Sequence, residues 1–173
     1  MTPHTKGTLM RLHHALLLST LVAGASSHAQ TPDAKTSQEI FQDWRLNCVE
    51  KSDTKRCVVN QTLSTQQGQA VAAINASLKD KSTVLEFALP LMMDLTTPLT
   101  IKIDDRAATT YAFNTCSPRA CFVVRDNDKA LISGFEAGTT AVLSAKTFNG
   151  QSLTLNVSLK GFGAATKALK QAK

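Results

Sequence analysis

Histidine is the first thing this chain lacks. All four, His4, His13, His14 and His28, fall within the first thirty residues, a stretch that reads as a cleaved leader. The mature protein then has no histidine, which removes the commonest general base, the commonest metal ligand and the physiological pH switch together. Aromatics are also scarce, at 5% of the chain with one Trp and one Tyr. The lysines are scattered, with no basic run. A chain without basic blocks or aromatic platforms is a poor nucleic-acid binder. Long apolar runs are absent too. The one such segment, residues 15–23, is about half of the roughly 20 residues that cross a bilayer.

That short run has the flanks of a secretory signal. Lys6 and Arg11 precede it, and Ser27 and Ala29 place small residues at the −3 and −1 positions of a cleavage site. No cysteine follows the run, so a lipid anchor is not indicated. The reading is a signal peptide over 1–29, a disordered polar linker over 30–40 and one domain over 41–173. Removing Lys6 and Arg11 from 19 basic residues leaves 17 against 13 acidic ones, a net charge of +4. This mild excess favours acidic partners.

Four cysteines remain in two close pairs, Cys48 with Cys57 and Cys116 with Cys121. An even count in an exported chain reads as disulfides. Of the three connectivities, the local one closes two hairpin-sized loops. Neither pair has the Cys-x-x-Cys spacing of a redox motif, and no histidine is available to complete a zinc site.

The body is a series of short period-two runs. Residues 56–63, 71–78, 84–89, 99–103, 110–113, 120–124, 141–148 and 152–159 read as strands. In the last, Leu153, Leu155, Val157 and Leu159 alternate with Thr154, Asn156 and Ser158. Short alternating runs broken by turn residues predict an all-β antiparallel β-sandwich, jelly-roll-like, with one or two short helices and two local disulfides. Asn149-Gly150 predicts a tight hairpin in which both residues take positive φ. Helix is expected at 129–135, stopped by Gly138, and at 164–170.

Candidate chemistry is sparse. Ser52 and Lys55 have the Ser-x-x-Lys spacing of a serine–lysine dyad, but they sit inside the small Cys48–Cys57 loop and lack the supporting elements of that chemistry. Asp104 and Asp105 are adjacent, so on a strand they face opposite ways and cannot flank one substrate. Asp126-Asn127-Asp128 opens like a calcium loop, yet Lys129 and Ala130 follow where oxygen ligands are needed. Trp44 is either an exposed grip for a sugar or partner, or a core residue packed beside the first disulfide, and the second reading is preferred. Met92-Met93 offers a soft binding surface or a bulged strand edge. No cofactor or metal is expected.

Several segments share a recognisable order: Asp43-Trp44 before Cys48 and Cys57; Leu89-Pro90; the strand Leu99-x-Ile101-x-Ile103-Asp104; Tyr111 through Cys116 into Ala120-Cys121; and the close Val157-Ser158-Leu159-Lys160-Gly161-Phe162 with an Ala-rich helix. In this the chain resembles the invasion-associated locus B family of exported bacterial proteins, from about residue 41 to residue 169. It departs from the family pattern at 95–98, where a glycine-rich turn is usual, and at 117–120, where a glycine commonly precedes the second cysteine. The resemblance implies no agreed enzymatic activity and no catalytic residues to carry over, and its founding members are linked to host-cell entry. The expectation is a non-enzymatic periplasmic or secreted protein that contacts a protein partner in the envelope or on a host cell, without nucleic acid and without a stable membrane anchor. Its rivals are an exported serine-type hydrolase using Ser52 and Lys55, and a periplasmic chaperone or envelope-stress protein working through exposed edge strands.

Overall fold

The computed structural model describes residues 34–64 and 66–172. The leader expected over 1–29, with all four histidines, lies outside the described residues. The elements are β1 (Lys35–Phe41), β2 (Trp44–Lys51), β3 (Thr54–Ser64), β4 (Ala70–Lys79), β5 (Ser82–Leu89), β6 (Leu99–Ile103), β7 (Thr109–Tyr111), β8 (Thr115–Cys116), β9 (Cys121–Asp126), α1 (Lys129–Ala137), β10 (Thr140–Lys146), β11 (Ser152–Ser158) and α2 (Phe162–Gln171). They form two antiparallel sheets, ordered β1-β2-β3-β4-β5-β9-β8 and β11-β10-β6-β7. The all-β antiparallel architecture expected from the sequence is present. Its connectivity is simpler than a jelly roll over the first five strands, which follow one another as hairpins.

Period two governs burial. On β5, Thr83, Leu85, Phe87 and Leu89 point inward while Ser82, Val84, Glu86 and Ala88 are partly exposed. Ala72, Ile74 and Ala76 on β4 and Leu46 and Cys48 on β2 extend the inner face. The outer face instead carries side-chain bonds between strands: Gln38 Nε2 to Asn47 Oδ1 (2.7 Å), and Asn75 Nδ2 to Glu86 Oε1 (3.0 Å). α2 packs on β1 to β4 and on α1. An aromatic chain runs through the core, from Trp44 to Phe162 (4.8 Å), Phe162 to Phe135 (5.4 Å) and Phe135 to Phe87 (5.9 Å), each pair edge-to-face.

Two expectations are corrected. The stretch read as a disordered linker, 30–40, holds β1 from Lys35 onward, paired residue by residue with β2 from Lys35↔Glu50 to Phe41↔Trp44. As an edge strand exposed on both faces it has no alternation to betray it. The 149–150 turn has positive φ only at Gly150 (81°), and Gly150 N–H bonds to Thr147 O. This is a three-residue loop closed by a left-handed glycine, not a two-residue turn. Gly138 does end α1, but its own φ is −83°. A Cβ there would lie 2.7 Å from Ile103 Cγ2 and 2.8 Å from Leu159 Cδ1, so space rather than backbone freedom demands glycine. β2 and the two-residue β8 were not anticipated.

Candidate interaction surfaces

The residues with catalytic or ligand-binding potential are mostly taken up in local structure. Ser52 (φ 53°) is in the two-residue turn between β2 and β3, Lys55 is the second residue of β3, opposite Glu50, and both are exposed. A nucleophile needs its base within hydrogen-bond reach; no hydrogen bond joins these two side chains among the described residues. Asp104 (φ 46°) turns its carboxylate onto the backbone N–H groups of Thr139 (3.1 Å) and Thr140 (2.9 Å), clamping the start of β10. Asp126 pairs with Lys79 (3.1 Å), and Asp128 caps α1 by accepting from Leu131 N–H (3.1 Å) while holding Arg125 (3.3 Å). Asp126 and Asp128 therefore have separate cationic and backbone partners, and they do not converge on a point.

Cys48–Cys57 joins registered positions of β2 and β3, and Cys116–Cys121 joins registered positions of β8 and β9. Each disulfide thus bridges a strand pair directly.

Trp44 is fully buried, with Phe162 against its ring and its indole N–H donating to Ser158 O (2.9 Å). It belongs to a clasp between the first hairpin and the C-terminal segment. Ser158 Oγ–H donates to Asp43 Oδ2 (2.6 Å), and buried Gln61 donates to Asp43 O (3.1 Å) and Ser158 O (3.0 Å). Gly161 (φ 91°) lies so close to the hairpin that a Cβ would fall 1.9 Å from Phe41 O. The Asp-Trp opening and the Ser-Leu-Lys-Gly-Phe close, far apart in sequence, are the two halves of this clasp.

A hollow of about 520 Å³ lies beside α1, lined by Ile101, Arg106, Tyr111, Arg125 and Asp128 among others. The Arg125 guanidinium stacks 4.8 Å from the Tyr111 ring centre. Burial, and then the nearby Asp128 carboxylate, push the Tyr111 hydroxyl above its ordinary value of 10.0, while Arg125 opposes them. The cation here is already neutralised by Asp128, so the group ties β7 to the β9–α1 junction.

One end of the sandwich is different. The 91–98 loop is bound to β10 and its turn: Asp94 N–H donates to Lys146 O, and Phe148 N–H donates to Met92 O, both at 2.8 Å. The Asp94 carboxylate braces the loop, accepting from Thr96 Oγ1 (2.6 Å), Thr97 Oγ1 (2.7 Å) and Thr96 N–H (2.9 Å). These hydroxyls hold Asp94 below its ordinary 3.8. On this braced frame Met92 is 60% exposed and Phe148 65% exposed, with Leu91 and Leu95 exposed beside them in the loop. Met92 has φ 70°, a strained conformation for a residue with a side chain. Its neighbour Met93 is buried and bridges to Thr147. The Met92-Met93 pair thus splits into one anchor and one exposed side chain. Phe148, Leu91 and Leu95 were missed as surface residues; the signal was an aromatic placed directly before the Asn149-Gly150 turn. No helix among the described residues is long and apolar enough to cross a membrane.

Comparison with known proteins adds the following. The Invasion associated locus B (IalB) protein family matches residues 44–170. Invasion protein B homologues of Brucella abortus strain 2308 and of Brucella abortus biovar 1 strain 9-941 are each 34% identical to it over 154 residues, covering 86% of this chain and 86% of theirs. The crystal structure of invasion associated protein B from Bartonella henselae superposes with a TM-score of 0.67 at 24% identity, over 77% of this chain and 94% of that one.

Proposed function

The chain belongs to the invasion associated locus B family, and we propose from this that it is a non-enzymatic, exported envelope or surface protein that works through protein–protein contacts. The observation that carries the reading is the braced apolar end. Met92 and Phe148 are held out to solvent by paired backbone hydrogen bonds, and a strained φ is kept at Met92. Exposed, preorganised apolar side chains on a rigid frame are what a docking surface needs, because little ordering remains to oppose binding. Two disulfides support an oxidising destination. The relatives named for invasion support a role at the boundary between bacterium and host. The partner is a protein of the envelope or of a host cell.

The test is a photo-reactive amino acid placed at Phe148, and as a control at exposed Thr154 on β11, in the protein expressed in its own cells. The expected result is one discrete protein adduct at 148 that is absent at 154. Loss of that adduct on Met92→Ser, with the melting temperature unchanged, ties it to the apolar end. No adduct at 148, or equal adducts at both positions, refutes the reading.

A further inference from the structure

β1 ends the seven-stranded sheet, its outer edge unpaired among the described residues, and all but its last residue is exposed. The register fixes which backbone groups that edge offers. In antiparallel pairs, hydrogen-bonded and non-hydrogen-bonded residue pairs alternate, the latter with the closer Cα atoms. Cys48 and Cys57 have Cα atoms 4.1 Å apart and so form a non-hydrogen-bonded pair between β2 and β3. The N–H and C=O of Cys48 therefore face β1, where its partner is Ser37. By alternation Lys35, Ser37 and Glu39 bond to β2, while Thr36, Gln38 and Ile40 present their amides and carbonyls outward.

A second copy can extend this sheet only about a two-fold axis perpendicular to it, which sets one residue of β1 opposite itself. Centring on Glu39 opposes two carboxylates, and centring on Gln38 sets Lys35 against Phe41. Centring on Ser37 sets Lys35 opposite the partner's Glu39, and Glu39 opposite the partner's Lys35. It also makes Thr36 and Gln38, the outward-facing residues, the hydrogen-bonded pairs. Lys35 already faces Glu50 across β2, so in this arrangement it lies between two carboxylates. Lys35 and Glu39 have no ion pair within the chain among the described residues. Charges on an edge strand commonly discourage self-pairing; at this spacing they favour one register of it.

We propose that two copies of this chain pair through β1, antiparallel and centred on Ser37, joining their long sheets into one. The surface is separate from the apolar end at Met92 and Phe148, and the inference does not depend on the function proposed for that end. A seven-residue strand buries less than a standard interface, so the dimer is weak and concentration-dependent.

Sedimentation velocity of the exported protein from micromolar to millimolar concentration tests this, together with amide exchange. The expected result is a monomer–dimer equilibrium that weakens with salt, in which the Thr36 and Gln38 amides gain protection with concentration while Ser37 and Glu39 are protected throughout. Lys35→Glu weakens the dimer about tenfold or more, and Lys35→Glu with Glu39→Lys restores it. Lys167 of α2 lines a hollow beside Glu39, so Lys35→Glu is the cleaner single change. Both positions are exposed, and the melting temperature is expected to hold. A chain that stays monomeric at millimolar concentration overturns the proposal, and so does a double exchange that fails to restore pairing. A monomer whose β1 amides become protected only when an unrelated extended peptide is added also overturns it, and assigns the edge to strand addition from another chain.

Discussion

Gly161→Ala tests whether the clasp holds the first hairpin to the C-terminal helix. Gly161 has φ 91° and ψ −10°, and its added methyl would stand 1.9 Å from Phe41 O and 2.7 Å from Phe41 C. Positive φ alone costs an alanine about 1–2 kcal/mol. The contact with Phe41 lies well inside any real carbon–oxygen approach, so the hairpin must retreat by about an ångström. That retreat breaks the Ser158–Asp43 hydrogen bond (2.6 Å) and strains those of Trp44 (2.9 Å) and Gln61 (3.0 Å) to Ser158 O. At about 1 kcal/mol for each bond lost, the total is about 3–5 kcal/mol, a large part of the 5–15 kcal/mol that typically holds a domain. The melting temperature is expected to fall by about 10 °C or more. Thermal unfolding with the disulfides intact, followed by far-ultraviolet dichroism and by fluorescence of the single, buried Trp44, measures it. Gly150→Ala is the control: φ is 81° but nothing lies within 4 Å of the new methyl, so only the about 1–2 kcal/mol of backbone strain applies. Equal losses in the two variants would show that Phe41 does not press on Gly161, and the clasp would fail as an explanation.

Replacing each cystine by two serines should destabilise by about 2.5 kcal/mol for Cys48–Cys57 and about 2 kcal/mol for Cys116–Cys121 on the chain-entropy account, as read by urea unfolding; unchanged midpoints would refute it. Tyr111, the only tyrosine, should ionise above pH 10.0 in the folded protein because burial favours its neutral form. The stability this adds is complete below pH 10 and is lost as pH rises through the raised value, and tyrosinate absorbance reports the midpoint directly. Asp94 is the opposite case. Its carboxyl is held below 3.8 first by the Thr96 hydroxyl and then by Thr97, so bracing of the 91–98 loop is complete above that pH and is lost as pH falls below it. Amide exchange in the loop should accelerate there, and Asp94→Asn should abolish the pH dependence.

The strands legible in the sequence were those buried on one face. Leu99, Ile101 and Ile103 alternate cleanly and form β6 at the expected limits. β1 was invisible because all of its residues before Phe41 are exposed on both faces, and its strand character comes from pairing with β2. Asn149-Gly150 signalled a hairpin correctly, but the turn type was set by Gly150 alone. Trp44 was read as core, yet its partners proved to be Phe162 and Ser158, more than a hundred residues away; spacing carries no information about such closure. The same blindness hid the apolar end, because Phe148 and Met92 are brought together by the pairing of the 91–98 loop with the end of β10 and the turn after it.

That division bears on function. Two of the segments by which the chain resembles its family, Asp43-Trp44 and Ser158 to Phe162, are consumed in the clasp, where Gly161 tolerates no side chain and Trp44 has no exposure. A surface free to choose a partner must lie where replacement costs little folding energy, and surface positions away from caps and buried bonds meet that condition. The exposed side chains of Met92, Phe148, Lys35 and Glu39 are such places, and 95–98 is one of the two stretches where the sequence leaves the family pattern. The clasp residues therefore specify the frame, and the surfaces proposed above for docking and for self-pairing are carried by other residues, Met92 and Phe148 for the first and Lys35 and Glu39 for the second. The two clasp segments meet in a closed contact between a hairpin and the C-terminal segment, so on the function proposed here they act as the scaffold for those surfaces.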